Sequence, residues 1–387
     1  MWRHIASNFL TFLVVLVFLL GGVILWGQAE YTAQGPLDES ICLRVERGTN
    51  MRAVSRELER EGALSNGTIF RVGADYSNKS SQLKAGSWLI PDGASMDEIT
   101  EIITRGGAST CGTEVVYRIG ITRSEVQVRE LDPATNRYVE KAEFNPDESD
   151  RPQIYENVLE KADTRYRIAV AEGVTSWQIV NGLKAVDVLE GGVNETPPEG
   201  SLAPDSYEVR AGDTRGSVIE RMRQSQDVIL ANAWENRAED IPLETPYEAL
   251  ILASIIEKET GVPSEREQVA SVFTNRLRQG MRLQTDPTVI YGITEGEGVL
   301  GRGLRRSELR APTPWNTYVI EGLPPTPIAN PGRASIAAAV NPLETDYIFF
   351  VAKTLDPRDG HAFAETLAEH NENVARYRAL EAEQGQN

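Results

Sequence analysis

The chain has 387 residues, 41% of them hydrophobic, and a formal charge of −18. That length predicts two or three folded units rather than one small core. The acidity excludes the basic stripe of a nucleic-acid footprint and argues against peripheral adhesion to anionic lipid.

From Phe9 to Trp26, "FLTFLVVLVFLLGGVILW" holds eighteen residues without a charge. As a helix rising about 1.5 Å per residue, such a run spans roughly 27 Å, close to a bilayer core. Arg3 and His4 precede it, while Glu30, Asp38 and Glu39 follow. The positive-inside rule then places the N-terminus in the cytoplasm and everything after residue 28 outside, with Trp2 and Trp26 at the two interfaces. The rival, a cleaved signal peptide, has only the poor cleavage site "WGQAEY". The expectation is an uncleaved single-pass anchor in the inner (plasma) membrane. Outside the cytoplasm, Cys42 and Cys111 are expected to pair as a disulfide, with two free thiols as the alternative. His4, His361 and His370 stand without an HExxH or CxxC, so neither a metal nor a cofactor is expected.

Residues 29–40 read as a polar linker. "RVERGTNMRAVSRELEREG" then predicts a strand, a Gly-Thr turn and an amphipathic helix. The unit recurs in "RIAVAEGVTSWQIVNGLKAV" and "YEVRAGDTRGSVIERM". Apolar pairs fall at the same offsets from Gly48, Gly173 and Gly212: Val54 and Leu58, Ile179 and Leu183, Val218 and Met222. With the strand and second helix of "LKAGSWLIPDGASMDEITEIITRGG", residues 41–112 resemble a small LysM-type βααβ module, a fold often used to hold peptidoglycan glycan. Residues 113–160 carry a charged stretch and one hairpin, turning near Asp132-Pro133, and residues 161–240 carry the repeated βα units.

Residues 241–380 predict a denser α+β domain. Thr245-Pro246-Tyr247-Glu248 is a capping box with proline at the first helical position, and Gly261 is a suitable stop. Ser264-Glu265-Arg266-Glu267 reads as a second capping box, opening a helix with Val269, Val272, Phe273 and Leu277 on one face and Gly280 at its end. "DYIFFVA" and "GHAF" predict a buried strand and its hairpin partner.

The first of these helices ends in two glutamates, Glu257 and Glu259. At about 100° per residue, Leu252, Ile255 and Ile256 lie within about 60° of Glu259, whereas Glu257 lies about 200° away. Glu259 therefore continues the apolar stripe. Burial and the negative end of the helix dipole both raise its pKa, which suits a general acid. A glutamate at a helix end is ordinarily solvated or paired with an arginine such as Arg266, so the helix alone does not decide. "RLRQGMRLQTDPTVIYGI" reads as a polar loop in which Gln284, Thr285, Asp286 and Tyr291 supply sugar-binding groups. In "APTPWNTYVIEGLPPTPIANPG", prolines stiffen the backbone around Trp315, Asn316 and Tyr318.

"ASIIEKET", "VASVFTNRL", "GMRLQTDPTVIYG", "NTYVIEGLPPTPIANPG" and His370-Asn371, in this order, resemble the MltG family of YceG-like endolytic murein transglycosylases. "PEGSLAPDSYEV" is similar to that family's Glu-Gly…Pro-Asp-Thr-Tyr element, with Ser206 replacing the threonine. The likeness is dense over residues 196–375 and looser over the LysM-like part, and 114–160 looks like an insertion. It implies a membrane-anchored lyase that cuts nascent peptidoglycan glycan strands between MurNAc and GlcNAc, leaving 1,6-anhydro-MurNAc ends. It implies that the glutamate followed by threonine, Glu259, is catalytic, and that Gln284, Asp286, Tyr291, Asn316 and Tyr318 line the glycan cleft. Peptidoglycan strands and the membrane are the expected partners, with cell-wall synthases raised by the resemblance and nucleic acid excluded. Two rivals stand beside it. A lysozyme-type hydrolase would need a second carboxylate such as Asp286 or Glu199; a tethered peptidoglycan-binding module would turn nothing over. The GxGxxG at Gly296–Gly301 lacks a preceding strand and reads as a loop.

Overall fold

The computed structural model describes residues 2–148, 150–161 and 163–384, with side chains of the first helix from Phe9 onward. The side chains of Trp2, Arg3 and His4, expected to flank the span, lie outside the described residues. The architecture is mixed α and β. The chain divides into two compact units, Met1–Val115 with Gln127–Glu143 and Arg151–Arg165, and Val116–Val126 with Phe144–Asp150 and Tyr166–Asn387.

Helix α1 (Trp2–Thr32) contains a stretch, Phe9–Thr32, long and apolar enough to cross a membrane, and none of that window is buried by protein. The first residues of the expected 29–40 linker are helical. The helix continues to Thr32, and Tyr31 is buried with its hydroxyl donating to Thr100 Oγ1 at 2.9 Å. An aromatic ring that needs both cover and a partner for its hydroxyl finds them here, which holds the helix together past residue 28.

The same unit continues with β1 (Ile41–Val45), α2 (Met51–Arg60), α3 (Gly67–Tyr76), β2 (Gly86–Ile90) and α4 (Met96–Arg105). β1 and β2 pair antiparallel, Leu43 opposite Trp88. Leu43, Val54, Leu58, Phe70, Trp88, Ile99 and Ile103 form its core. Helix α3 was not anticipated; Asn66 caps it by accepting from the N–H groups of Thr68 and Ile69. Cys42 and Cys111 are disulfide-bonded across 69 residues, a loop whose closure stabilises by about 4 kcal/mol in the chain-entropy model.

Strands β3 (Thr113–Ile119), β4 (Ser124–Asp132) and β5 (Arg137–Phe144) are followed by α5 (Gln153–Leu159), β6 (Arg165–Val170), α6 (Ser176–Lys184) and β7 (Ser206–Val209). The five strands form one sheet in the order β5-β4-β3-β6-β7. The β4–β5 hairpin turns just after Asp132, whose carboxylate accepts from Ala134 N and Thr135 Oγ1. After β7 comes the long α7 (Arg215–Glu235). Gly48, Gly173 and Gly212 are all left-handed, with φ of 83°, 78° and 91°, as a tight strand-to-helix turn requires. Asn50, Thr175 and Thr214 cap the three helices that follow. The six apolar residues repeated after these glycines are all buried.

The second core gathers α7, α8 (Pro246–Glu259), α9 (Arg266–Arg278) and α11 (Arg333–Val340). The Thr245–Glu248 capping box is formed, with Pro246 in the first turn. Five local expectations are corrected. From Ala249 to Ile256 α8 has no solvent face, since every residue there is buried; a helix segment covered on all sides belongs at the centre of the layers. It ends without a left-handed glycine: Thr260 turns into extended backbone, and Pro263 two residues past Gly261 enforces the exit. The second capping box is not made, because Pro263–Glu265 forms a 3₁₀ turn and Ser264 lies inside it rather than in extended backbone. Most of the expected 276–293 loop is helix, the end of α9 and then α10 (Asp286–Thr294), started by Thr285, an acidic first residue and a proline. α9 does close at left-handed Gly280, with Gly280 N and Met281 N donating to Leu277 O and Arg276 O. The hairpin of β8 (Phe349–Ala352) and β9 (His361–Ala364) is half-buried rather than buried, and α12 (Leu367–Gln384) follows.

Candidate active site

Glu259 is the last residue of α8, where the buried helix emerges. Thr285, the residue before α10, donates its hydroxyl to Glu259 Oε1. Part of the Glu259 side chain remains reachable by solvent, yet protein atoms crowd the carboxyl, and that crowding governs its charge. Its pKa is raised to about 7: desolvation dominates, the Thr285 hydrogen bond pulls it down, Asp286 pushes it up and the Arg276 guanidinium pulls it down. The carboxyl is therefore poised to give a proton near neutral pH and take one back.

The loop carrying Thr285 is fixed from below. Thr317 is fully buried, accepts Thr285 N–H on Oγ1 at 3.0 Å and Gln284 N–H on its carbonyl at 3.1 Å, and shares a hydroxyl contact with Thr288. Gln284, a non-glycine residue, is held left-handed at φ 49°, a strained conformation that these bonds enforce. Its side chain is exposed, as is that of Asp286. Asp286 Oδ1 accepts from Tyr318 OH at 2.7 Å, and burial raises the Tyr318 pKa. Arg276 was not singled out in the sequence. It is 8% exposed, bonds Ile348 O and Leu283 O, and places its charge near Glu259.

A second cluster gathers Glu199 and Tyr291. Glu199 Oε1 accepts from Ser176 N at 2.8 Å and Asn330 Nδ2 at 3.3 Å, and its Oε2 accepts from Tyr291 OH at 3.3 Å. Burial raises the Glu199 pKa against these donors. Tyr291 leans on Trp315 with ring centroids 5.6 Å apart. Asn330, also not anticipated, ties the cluster together by accepting Leu202 N–H and donating to Val174 O and Ser176 Oγ.

Two expected assignments change. Asn316 is fully buried; its Nδ2 donates to Glu308 O and Ala311 O and its Oδ1 accepts Tyr318 N–H, so it braces the loop instead of facing a cleft. Glu257 is not a solvated bystander. Its side chain is 6% exposed, accepts Gly332 N–H at 2.9 Å and lies 3.8 Å from Arg266, so the arginine partner considered for Glu259 belongs to Glu257. Among the described residues, no group of three or more His, Cys, Asp or Glu side chains could hold a metal ion.

An enclosed carboxylic acid with one hydroxyl donor, beside an exposed amide and carboxylate, is the equipment of a general-acid site. The chain belongs to the YceG-like family, whose model matches residues 43–376. It is 27% identical over 365 residues to the endolytic murein transglycosylase of Bacillus subtilis strain 168, covering 93% of this chain and 91% of that protein. It is 25% identical to the endolytic murein transglycosylase of Streptococcus pneumoniae strain D39, covering 97% of this chain and 66% of the relative. A YceG-like protein of known crystal structure from Listeria monocytogenes is 25% identical, with a TM-score of 0.46 over 86% of this chain and 98% of that one.

Proposed function

We propose that this protein is a membrane-anchored endolytic peptidoglycan lytic transglycosylase that cuts MurNAc–GlcNAc bonds within glycan strands. The observation that carries the reading is Glu259, whose carboxyl is held protonated to about pH 7 by desolvation. Because the Thr285 hydroxyl already donates to Oε1, the acid proton sits on Oε2. From there it passes to the oxygen linking MurNAc C1 to GlcNAc O4, the C1–O4 bond breaks, and an oxocarbenium-like centre forms at C1. The resulting carboxylate takes the proton of the MurNAc 6-hydroxyl as O6 bonds to C1. One residue thus serves as acid and then base, and no water is consumed. Gln284, Thr285, Asp286 and Tyr318 line the scissile region; Tyr291 and Glu199 extend it, and Asn316 shapes it from behind.

The relatives' names support the substrate, and the apolar N-terminal helix supports an anchor, read here as single-pass in the inner membrane with the N-terminus cytoplasmic. The β-α-α-β order of residues 41–90, with α4 following β2, supports a LysM-like module over 41–112, followed by the 113–160 segment, the 161–240 βα units and a catalytic domain over 241–380. Cell-wall synthases are the partners this placement suggests. A lysozyme-type hydrolase is the rival, since Asp286 acts electrostatically on Glu259. Digesting uncross-linked glycan strands in ¹⁸O-water separates the two. Transglycosylation leaves unlabelled 1,6-anhydro ends, about 20 Da lighter than hydrolysis products that have taken up ¹⁸O-water, because the tethered hydroxyl outcompetes water. Label at the new terminus sinks the proposed chemistry.

A further inference from the structure

Away from Glu259, the second unit contains a cavity of about 660 Å³ between the turn after β3, helix α6 and the 298–299 segment. Its lining includes the half-buried indole of Trp177, the amide of Asn181, Lys184, and the apolar Ile121 and Val299. Val299 is 56% exposed and Ile121 38% exposed, so both present open aliphatic surface in the cavity that the indole lines. Neither the glutamate pair nor the Thr285 loop lines it, and nothing in the chemistry above uses it.

We propose that this cavity is a remote glycan subsite, which binds an N-acetylated sugar several units along the strand from the bond that is cut. The inference rests on the glycan-cleaving reading. An indole face takes the C–H side of a pyranose ring, an amide meets its hydroxyl or acetamido groups, and the aliphatic rim takes the acetyl methyl. Gln178 is not one of the recognition groups: its Oε1 accepts Thr175 N–H at 2.9 Å and its Nε2 donates to Ile121 O at 2.7 Å. That bonding fixes the wall instead. Asn181 Oδ1 accepts from Lys184 Nζ at 2.8 Å, which leaves the amide N–H groups to donate to a ligand.

Continuity with the cleavage site favours a strand over any other occupant. Asp286 opens α10 beside Glu259, and Tyr291 on the same helix donates to Glu199. Glu199 accepts from Ser176 N, and Trp177 is the next residue. Thr175 donates to Gly296 O at 2.7 Å, so the 296–299 segment is pinned to the start of α6. The path from Glu259 through α10 and Glu199 to α6 is continuous, yet the cavity shares no lining residue with the Thr285 loop, so it meets a different part of a bound strand. Such a subsite would select long strands and set cleavage inside them.

The test uses full-length protein in detergent carrying Glu259→Gln, so that strands bind without being cut. The probes are fluorescent uncross-linked glycan strands and, separately, a peptidoglycan tetrasaccharide. Trp177→Ala should lower the ratio of long-strand to tetrasaccharide affinity roughly tenfold, the effect of removing a central aromatic anchor. Asn181→Ala should lower it in the same direction and leaves the indole in place should Trp177→Ala fail to fold. An unchanged ratio in a folded variant overturns the subsite, as does equal weakening of both probes. If the parent protein cuts no glycan yet the ratio still falls, the catalytic reading fails and the subsite stands.

Discussion

The hydroxyl of Thr285 donates to Glu259 Oε1, joining the end of α8 to the start of α10. This bond favours the ionised carboxylate, and so opposes the desolvation that raises its pKa. Thr285→Val keeps the volume and removes the donor. The active form of Glu259 is protonated, so cleavage falls as pH rises through its pKa of about 7. Without the donor that fall should move upward by about one pH unit. A pH–rate profile of kcat that stays put or moves down would show that Thr285 does not act on this carboxyl.

Glu259 should also cost the protein stability at high pH. Folding raises its pKa from the unfolded value, so the cost is absent below the unfolded pKa, grows as pH rises toward about 7, and is complete above that. With partial solvent access discounted, Glu259→Gln should stabilise by about 2 kcal/mol at pH 8 and by nothing at pH 4. Thermal melts of the two proteins at both pH values check it; equal melting points at pH 8 contradict a desolvated carboxyl. The same variant should abolish cleavage.

Glu257 should behave in the opposite way. It serves Arg266 and Gly332 N–H, packed into the unit and not aimed at a substrate. Glu257→Gln keeps an acceptor for the N–H but strips the charge facing Arg266, so it should destabilise by about 2 kcal/mol. Cleavage per folded molecule should stay within roughly threefold of the parent, since no transition-state contact is lost. Lost turnover in a fully folded variant would move Glu257 into the chemistry.

The two glutamates also show what a sequence can carry. The helical phase singles out Glu259 on the premise of a one-sided helix, whereas α8 is buried on every side from Ala249 to Ile256. The phase separated the two carboxylates, but only partners from elsewhere in the chain distinguish their roles. The repeated glycine turns and their apolar pairs were legible because both signals are local. Arg276, Thr317 and Asn330 were not: Thr317 meets Thr285 from 32 residues away and Asn330 meets Val174 from 156. Helix α10 was legible in principle, from Thr285, Asp286 and Pro287, but its polar start reads equally well as a loop.

Glu199 offers the sharpest choice between the two chemistries. A retaining lysozyme-type enzyme needs a second carboxylate about 5 Å from the acid, free to attack the sugar. Glu199 is desolvated enough to attract that role, yet Ser176 N, Asn330 Nδ2 and Tyr291 OH already occupy its oxygens. A carboxylate whose Oε1 takes two donors and whose Oε2 takes a third is a poor nucleophile and a good anchor for α6 and α10. Glu199→Gln should therefore raise KM while kcat stays within about tenfold, since the amide still accepts two of the bonds. Products should still end in 1,6-anhydro-MurNAc. Removing the general acid with Glu259→Gln should instead cost about 10³-fold or more in kcat. If Glu199→Gln is as damaging as Glu259→Gln, and the parent's products carry ¹⁸O, the nucleophile is the protein's carboxylate and not the sugar's hydroxyl.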